Sequence, residues 1–567
     1  MGASALPHTP LMLMSLAVAF VVAGAAHADE TVLHNGIRLP DPWPPSQGEL
    51  SLDAPDLPPW LQSPPEIIPI DLGRQLFVDD FLIEETSMER VFHLAEYYED
   101  NPVIEADRPW EHEKDGPRQG PMAMPFSDGA WYDPTDGLFK LWYYADYGTA
   151  RLCVATSPDG IHWEKPSYDV SPGTNIAIEH GGGSRVVWLD RHATDPARRF
   201  VLITSKGGQH LIPEGADWWG SACASKVAFS PDGVHWSEFM AERGPSGDRN
   251  SAWFDPFRGV WVFSIRAYEP FGGIDYPMRF RRYWETTDLA GAPSWEYREP
   301  MPWIGADRLD LTRQDKGNIQ PELYNLDAVA YENLMLGLFS IWRGGRGDRE
   351  GRPKPNEVCV GFSRDGFHWY RPDRRAFLPI SEEPGAWNWG NVQSAGGGCL
   401  VVGDRLYFYC SGRKGAPGFE GAGGSTGLAF LRRDGFASMR AGDGWETLTT
   451  RPVTFSGAYL FVNADADGGE LRAEVFDRDG NVIEGLSRVR CEPVREDSTI
   501  RRVRWRGTDD LSALAGTPVR FRFHARDADL YAFWVSADKS GASNGYVAAG
   551  GPGFPADRDT IGLAAYR

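Results

Sequence analysis

SPDGIHW (157–163), SPDGVHW (230–236) and SRDGFHW (363–369) are three copies of one heptapeptide, and their recurrence decides the fold. In each, Asp-Gly supplies a tight turn: the glycine takes a positive φ at no steric cost, and the aspartate can bond to turn N–H groups. The tryptophan that closes each copy is placed to pack between neighbouring sheets. Weaker copies fill the gaps: TTDL (286–289), which reaches Trp295 after a longer turn, and RRDGF (432–436), which lacks the tryptophan. The aspartates at 159, 232, 288, 365 and 434 stand 73, 56, 77 and 69 residues apart. Each interval suits one four-stranded sheet with its loops. A residue repeated in every unit builds the unit, so these aspartates are read as structural rather than catalytic.

Other elements recur around the turns. WYDP (131–134), WLD (188–190) and WFDP (253–256) each close one strand and open a turn. A β-prone run follows: LFKLWYY (138–144), RFVLITS (199–205), VWVFSIR (260–266), LGLFSIW (336–342) and RLYFYCS (405–411). A third strand, such as RLCVATS (151–157) or EVCVGFS (357–363), leads into the Asp-Gly turn, and a fourth starts at His-Trp. Five units of four strands define a five-bladed β-propeller, and no helical periodicity competes with it. From about residue 441 the pattern changes. ELRAEVFDRDGNVI and PVRFRFHARDADLYAFWVS alternate apolar and polar residues without the blade repeat, as in a β-sandwich. The expected division is a signal peptide over 1–28, a Pro-rich arm over 29–74, the propeller over 75–440, and the sandwich with its tail over 441–567. QLFVDDFLIEE (75–85) is expected to complete a blade, and the Gly- and Asp-rich residues 537–567 to be loosely attached.

Composition bounds the partners. A chain of 567 residues exceeds one ordinary core. A net charge of −22 repels nucleic acid and anionic membranes, so neither is expected as a partner. It also disfavours a polyanionic polysaccharide unless a local cluster overrides it, such as Arg279, Arg281 and Arg282 or Arg343, Arg346 and Arg349. LMLMSLAVAFVVAGAA (11–26) is too short to span a bilayer comfortably, and Ala26-His27-Ala28 gives a cleavage pattern. A secreted or periplasmic protein without a membrane anchor is therefore expected, although no Lys or Arg precedes the apolar run. The six cysteines have no C-x-x-C spacing and read as buried small hydrophobes. No metal site or cofactor is expected; a structural or channel calcium stays open as an alternative. The sequence leaves the oligomeric state open.

The pattern resembles the five-bladed glycoside hydrolases and phosphorylases of families 32, 43 and 130. NPVIEADRPWE (101–111), WYDPTDGLFKLWYY (131–144) and the S-x-D-G-x-H-W turns carry the resemblance. A sandwich behind the propeller is similar to family 32, but that family's nucleophile motif, W-M-N-D-P-N-G, is absent. WYDP recurs as WFDP in another blade, which identifies it as a turn. The resemblance implies a carbohydrate substrate and chemistry at the channel mouth, where the innermost strands begin. Glycoside cleavage needs two carboxyl groups, one protonated and one ionised. The expected general acid is Glu322 and the expected base or nucleophile is Asp128, with Asp248 and Asp327 in reserve. Arg118, Arg249, Tyr324, Asn325 and Asn391 are candidate substrate ligands, and Trp387 and Trp389 candidate stacking platforms. Two other classes compete: a non-catalytic carbohydrate-binding propeller, and a polysaccharide lyase using Tyr324 or His180 as base and Arg249 to neutralise a uronate. A phosphorylase would need a phosphate-binding Arg or Lys group at the channel.

Overall fold

The computed structural model describes residues 1–2, 31–112, 120–146, 149–216, 222–291, 294–344, 354–415, 423–508 and 510–566. The expected signal peptide therefore lies almost wholly outside the described residues, as do Arg118, Arg346 and Arg349. Among the described residues no helix is long and apolar enough to cross a membrane.

Five antiparallel sheets follow one another along the chain. The first blade holds Ala123–Met124 and Ala130–Asp133, then Leu138–Ala145, Arg151–Ser157 and Ile176–Ile178. The second holds Ser184–Leu189, Phe200–Gly207, Cys223–Ser230 and Met240–Ser246. The third holds Ser251–Asp255, Val260–Glu269, Met278–Thr286 and Met301–Ile304. The fourth is built on Glu322–Glu332, Leu334–Trp342 and Asn356–Ser363. The fifth has Asn391–Ser394 and Leu400–Val402 inside, then Arg405–Arg413 and Gly424–Arg432. Its outermost strand, Glu96–Tyr97, comes from before the first blade. The ring closes through bonds between innermost strands. Trp131 Nε1 donates to Val187 O at 2.9 Å, Ser184 Oγ to Asn250 O at 2.7 Å, and Ser251 Oγ to Leu326 O. Ser394 Oγ donates to Asp327 Oδ2 at 2.6 Å, and Ala130 N to Gly396 O at 3.2 Å.

The repeated turns behave alike. Asp159 Oδ1 accepts from the N–H groups of Ile161 and His162 at 2.8 and 2.9 Å, and Asp232 and Asp365 repeat the pattern on their own turns. Each glycine then meets the preceding blade. Gly233 has φ +83°, and a Cβ there would lie 2.4 Å from the Trp142 ring; Trp142 Nε1 donates to its carbonyl at 2.8 Å. These turns join third to fourth strands, so they sit at the end of the ring opposite the starts of the innermost strands.

The sandwich has two sheets. One orders Asp497–Arg502, Tyr459–Asp465, Ala528–Ser536, Ala437–Ala441 and Glu89–Phe92, with Gln75–Leu76 also on Ala528–Ser536. The other orders Ile83–Thr86, Glu446–Thr450, Arg520–Arg526 and Glu470–Phe476. Its core, including Phe77, Phe521, Phe523 and Phe533, is separate from that of the propeller. QLFVDDFLIEE therefore supplies sandwich strands and not a blade, and the sandwich draws on residues on both sides of the ring. The expected boundaries at 75 and 441 shift accordingly.

The tail is also tightly held. Tyr546–Val547 pairs with Tyr331 and Glu332 of the fourth blade. Ala549 O accepts from Tyr132 N at 3.1 Å, Ala549 N donates to Cys399 O at 3.0 Å, and Gly550 O accepts from Val401 N at 2.8 Å. The segment thus spans three blades at the turn end of the channel. Beside it lies a buried ionic cluster whose side chains are 0% exposed. Arg74 bonds Asp434 at 2.9 Å and faces Glu332 at 3.5 Å; Arg433 bonds Asp559 at 2.9 Å and faces Glu332 at 3.3 Å. Asp434 belongs to the fifth, tryptophan-less copy of the turn, and Asn463 of the sandwich donates to it at 2.9 Å. Burial works to raise the Asp434 and Asp559 carboxyls, but Arg74 and Arg433 outweigh it and hold both below the usual value. Burial raises Glu332, so it acts in the opposite sense. All six cysteines are buried and unpaired.

Two measurements check this account. Asp232→Ala should lower stability by about 0.5–2 kcal/mol in urea titration, the size of a lost capping set. Asp559 has a folded pKa below its unfolded one, so its contribution is present above about pH 4 and lost as pH falls through the folded value. The Asp559→Asn protein should melt lower at pH 7 and lose less of its melting temperature than wild type between pH 5 and pH 2.

Candidate active site

The innermost strands start at the mouth, and their first residues bring side chains together from all five blades. Asn325, in the fourth blade, donates through Nδ2 to Ser127 Oγ of the first at 2.9 Å and to Asp327 Oδ2 at 3.0 Å. Arg249, from the third, donates through Nε to Gln393 Oε1 of the fifth at 3.3 Å. Gln393 Nε2 donates to Asn391 Oδ1 at 2.8 Å, and Asn391 Nδ2 to Lys354 O at 3.0 Å. From the second blade, Arg185 grips Asp128 with two bonds, at 3.2 and 2.6 Å. Two groups in this assembly are buried but unsatisfied: Arg249 Nη2 and Asn325 Oδ1 have no hydrogen-bond partner among the described residues. Buried polar groups without partners are costly.

The four candidate carboxylates occupy different environments. Asp128 is 1% exposed, and burial pushes its carboxyl up to about 6 against the pull of Arg185 and Arg249. Asp327 is 3% exposed; burial raises it too, opposed by Arg249 and by bonds from Ser127 and Ser394. Glu322 Oε2 accepts from the Arg279 backbone N–H at 3.0 Å and from its guanidinium at 2.6 Å. Asp248 is half-exposed and pairs with Arg266. The expected acid–base contrast is between Glu322 and Asp128; burial raises Asp128, and Glu322 bonds Arg279.

Cations and aromatic rings build the rest of the mouth. The Arg279 guanidinium lies 4.6 Å from the Trp342 ring, 5.2 Å from Tyr268 and 5.4 Å from Tyr324. Arg249 and Arg413 lie 4.7 and 5.2 Å from the Phe126 ring. Tyr324 lies among these charges. Burial pushes its phenol up, but Lys354, Arg279, Arg266 and Arg413 together bring it down to about 8. A cleft lined by Gly247, Arg266, Tyr268, Glu269, Arg298 and Pro300 adjoins the mouth.

Several expected residues are elsewhere. Trp387 packs within the fifth blade: a Cβ on Gly412 or Gly427 would lie 2.1 or 2.0 Å from its ring, and Tyr97 meets it edge-on at 5.4 Å. It is not a free stacking platform. Trp389 lines a separate surface cleft with Arg313, Asp315 and Glu382. His180 is exposed and contacts Thr149 O at 3.3 Å. Of the arginine cluster, Arg279 reaches the mouth. Arg281 is buried against backbone carbonyls, including Arg249 O at 2.9 Å, and Arg282 pairs with Glu269. Arg343 pairs with Glu357 at 3.2 Å. The sequence reading missed Arg185, Arg266, Lys354 and Arg413. A signal for two of these was present: VWVFSIR and RLYFYCSGR each carry an arginine at or near the end of a second strand, the end that opens on the mouth. Among the described residues, no group of three or more His, Cys, Asp or Glu is placed to hold a metal ion.

No family model matches the chain, and a search of curated proteins returns no match. Among solved structures it is similar to a glycosyl hydrolase from Bacteroides ovatus, with 14% identity over 64% of this chain and 97% of that one and a TM-score of 0.38. It is also similar to an N-acetylgalactosamine deacetylase from F. plautii, with 13% identity over 65% and 97% and a TM-score of 0.34. A family 43 arabinoxylan arabinofuranohydrolase from Bacillus subtilis gives 11% identity over 76% and 99% and a TM-score of 0.31. The propeller itself rests on the strand pairing described above.

Asp128→Ala would leave Arg185 buried without its carboxylate. The loss should be about 3–5 kcal/mol, read as a shift of the urea midpoint.

Proposed function

We propose that the protein hydrolyses glycosidic bonds of a carbohydrate seated on the propeller mouth. One observation carries the reading. Polar side chains from five blades converge there and leave buried Arg249 Nη2 and Asn325 Oδ1 unsatisfied, as a site for sugar hydroxyls requires. Hydrolysis needs two carboxyls whose environments push their pKa values apart. Asp327 fits the proton donor: it is buried, raised, and bonded by Ser394 and Asn325 without a directly bonded arginine. Asp248, half-exposed beside Arg266, fits the ionised partner that activates water. Asp128 is taken up by Arg185, and Glu322 by Arg279. Both then serve to position the arginines of the site.

A second reading has its own support. A phenol brought down to about 8 among four cations suits a base in eliminative cleavage of a uronate. The phenolate would take the C5 proton, the C4–O bond would break, and the leaving oxygen would gain a proton as a C4–C5 double bond forms. Eliminative cleavage would give ultraviolet-absorbing unsaturated ends, whereas hydrolysis would give none.

With a cleaved oligosaccharide in hand, Asp327→Asn should lower turnover by roughly 10²–10⁴-fold, the size of a general-acid contribution, with folding retained by circular dichroism. Glu322→Gln should lower it far less. The reverse pattern would return the acid to Glu322. If Tyr324→Phe abolishes cleavage and Asp327→Asn does not, the eliminative reading replaces the hydrolytic one.

A further inference from the structure

The charge of the mouth runs against the charge of the chain. The sequence carries 79 acidic against 57 basic residues, yet Arg249, Arg266, Arg279, Lys354 and Arg413 all bear on Tyr324 or on the Phe126 ring. Arg279 pairs with Glu322, and Arg266 with Asp248. Arg249 has Asp327 nearby, but its Nε bonds the neutral Gln393. Gathering like charges in a partly desolvated site opposes folding, so this arrangement has no stability rationale.

The guanidiniums are also held in a particular way. Ring faces of Trp342, Tyr268, Tyr324 and Phe126 support Arg279, Arg249 and Arg413. A ring face fixes the guanidinium plane while occupying none of its N–H groups. Arg249 Nη2 is buried and unpartnered among the described residues. Planar N–H edges match a carboxylate with two parallel bonds.

We propose that the mouth selects an anionic carbohydrate, with the carboxylate of a uronic acid seated against Arg249, Arg279 and Arg413. This rests on the reading that a carbohydrate occupies the mouth, and it holds for either cleavage chemistry.

The test is calorimetric titration of the full chain with four trimers: galacturonate, its methyl ester, neutral galactose and sulfated galactose. Galacturonate should bind at least about tenfold tighter than its ester at low salt, and added salt should shrink the advantage. Arg413→Gln should remove most of that advantage while leaving ester binding in place. Should that variant misfold, Lys354→Gln, at an exposed position, should reduce the advantage by a smaller factor. Equal binding of acid, ester and neutral trimers would overturn the anionic assignment and leave the carbohydrate site standing. A preference for the sulfated trimer would overturn the carboxylate. Binding of no trimer would count against both this inference and the carbohydrate site on which it rests.

Discussion

The antiparallel pairing of Glu89–Phe92 with Ala437–Ala441 is the constraint on which the rest of the architecture hangs. The first strand lies just before the ring and the second just after it, so one ladder holds the chain's entry to its exit. Glu96–Tyr97 then completes the fifth blade from the entering side. The last blade is thus finished by a strand from before the first, and the sandwich supplies the geometry for that. The buried cluster of Arg74, Arg433, Glu332, Asp434 and Asp559 adds directional bonds at the same junction. Taking charges out of water is expensive, and this cluster offsets that cost only when propeller, sandwich and tail are all in register.

That rigid base lies at one end of the channel, and the site is at the other. The segment 546–550 bonds to three blades at the turn end, so the mouth works as a pocket approached from its own side. The innermost strands are also each blade's attachment to its neighbours. The same residues that knit the ring, Ser127, Asn325, Asp327 and Ser394, therefore set the floor of the site. Asp327 shows the cost of this economy. Its carboxylate is raised because it is buried, and it is buried because it bridges two blades.

What could be read from the sequence follows from the range of each interaction. The Asp-Gly turns were legible because Asp159, Asp232 and Asp365 bond to N–H groups two and three residues away. Five units of strands followed from their spacing. Residues 75–85 misled, because a strand's sequence states that it pairs but not with what: Gln75 pairs with Phe533. The tail read as loose because Gly and Asp are common in loops, yet Asp559 is fully buried on Arg433. At the mouth, looking around the start of each innermost strand found Asp128, Arg249, Asn325, Asp327 and Asn391. It could not find Arg266 or Arg413, which reach the same place from the far ends of second strands. Trp387 reads as a sugar platform because a tryptophan near a strand start is ambiguous. Gly412 and Gly427 opposite it decide for packing.

The sandwich being made from both flanks of the ring has a consequence for synthesis. While the chain is still emerging, Gln75–Leu76 and Glu89–Phe92 have no partner strands. Neither domain can be finished before Ala528–Ser536 and Tyr546–Val547 appear, since both are ladder partners of much earlier residues. Contacts so distant along the chain are slow to form. Folding of this protein is thus a late, largely post-synthetic event, and unpaired strand edges must be shielded until the last stretch arrives.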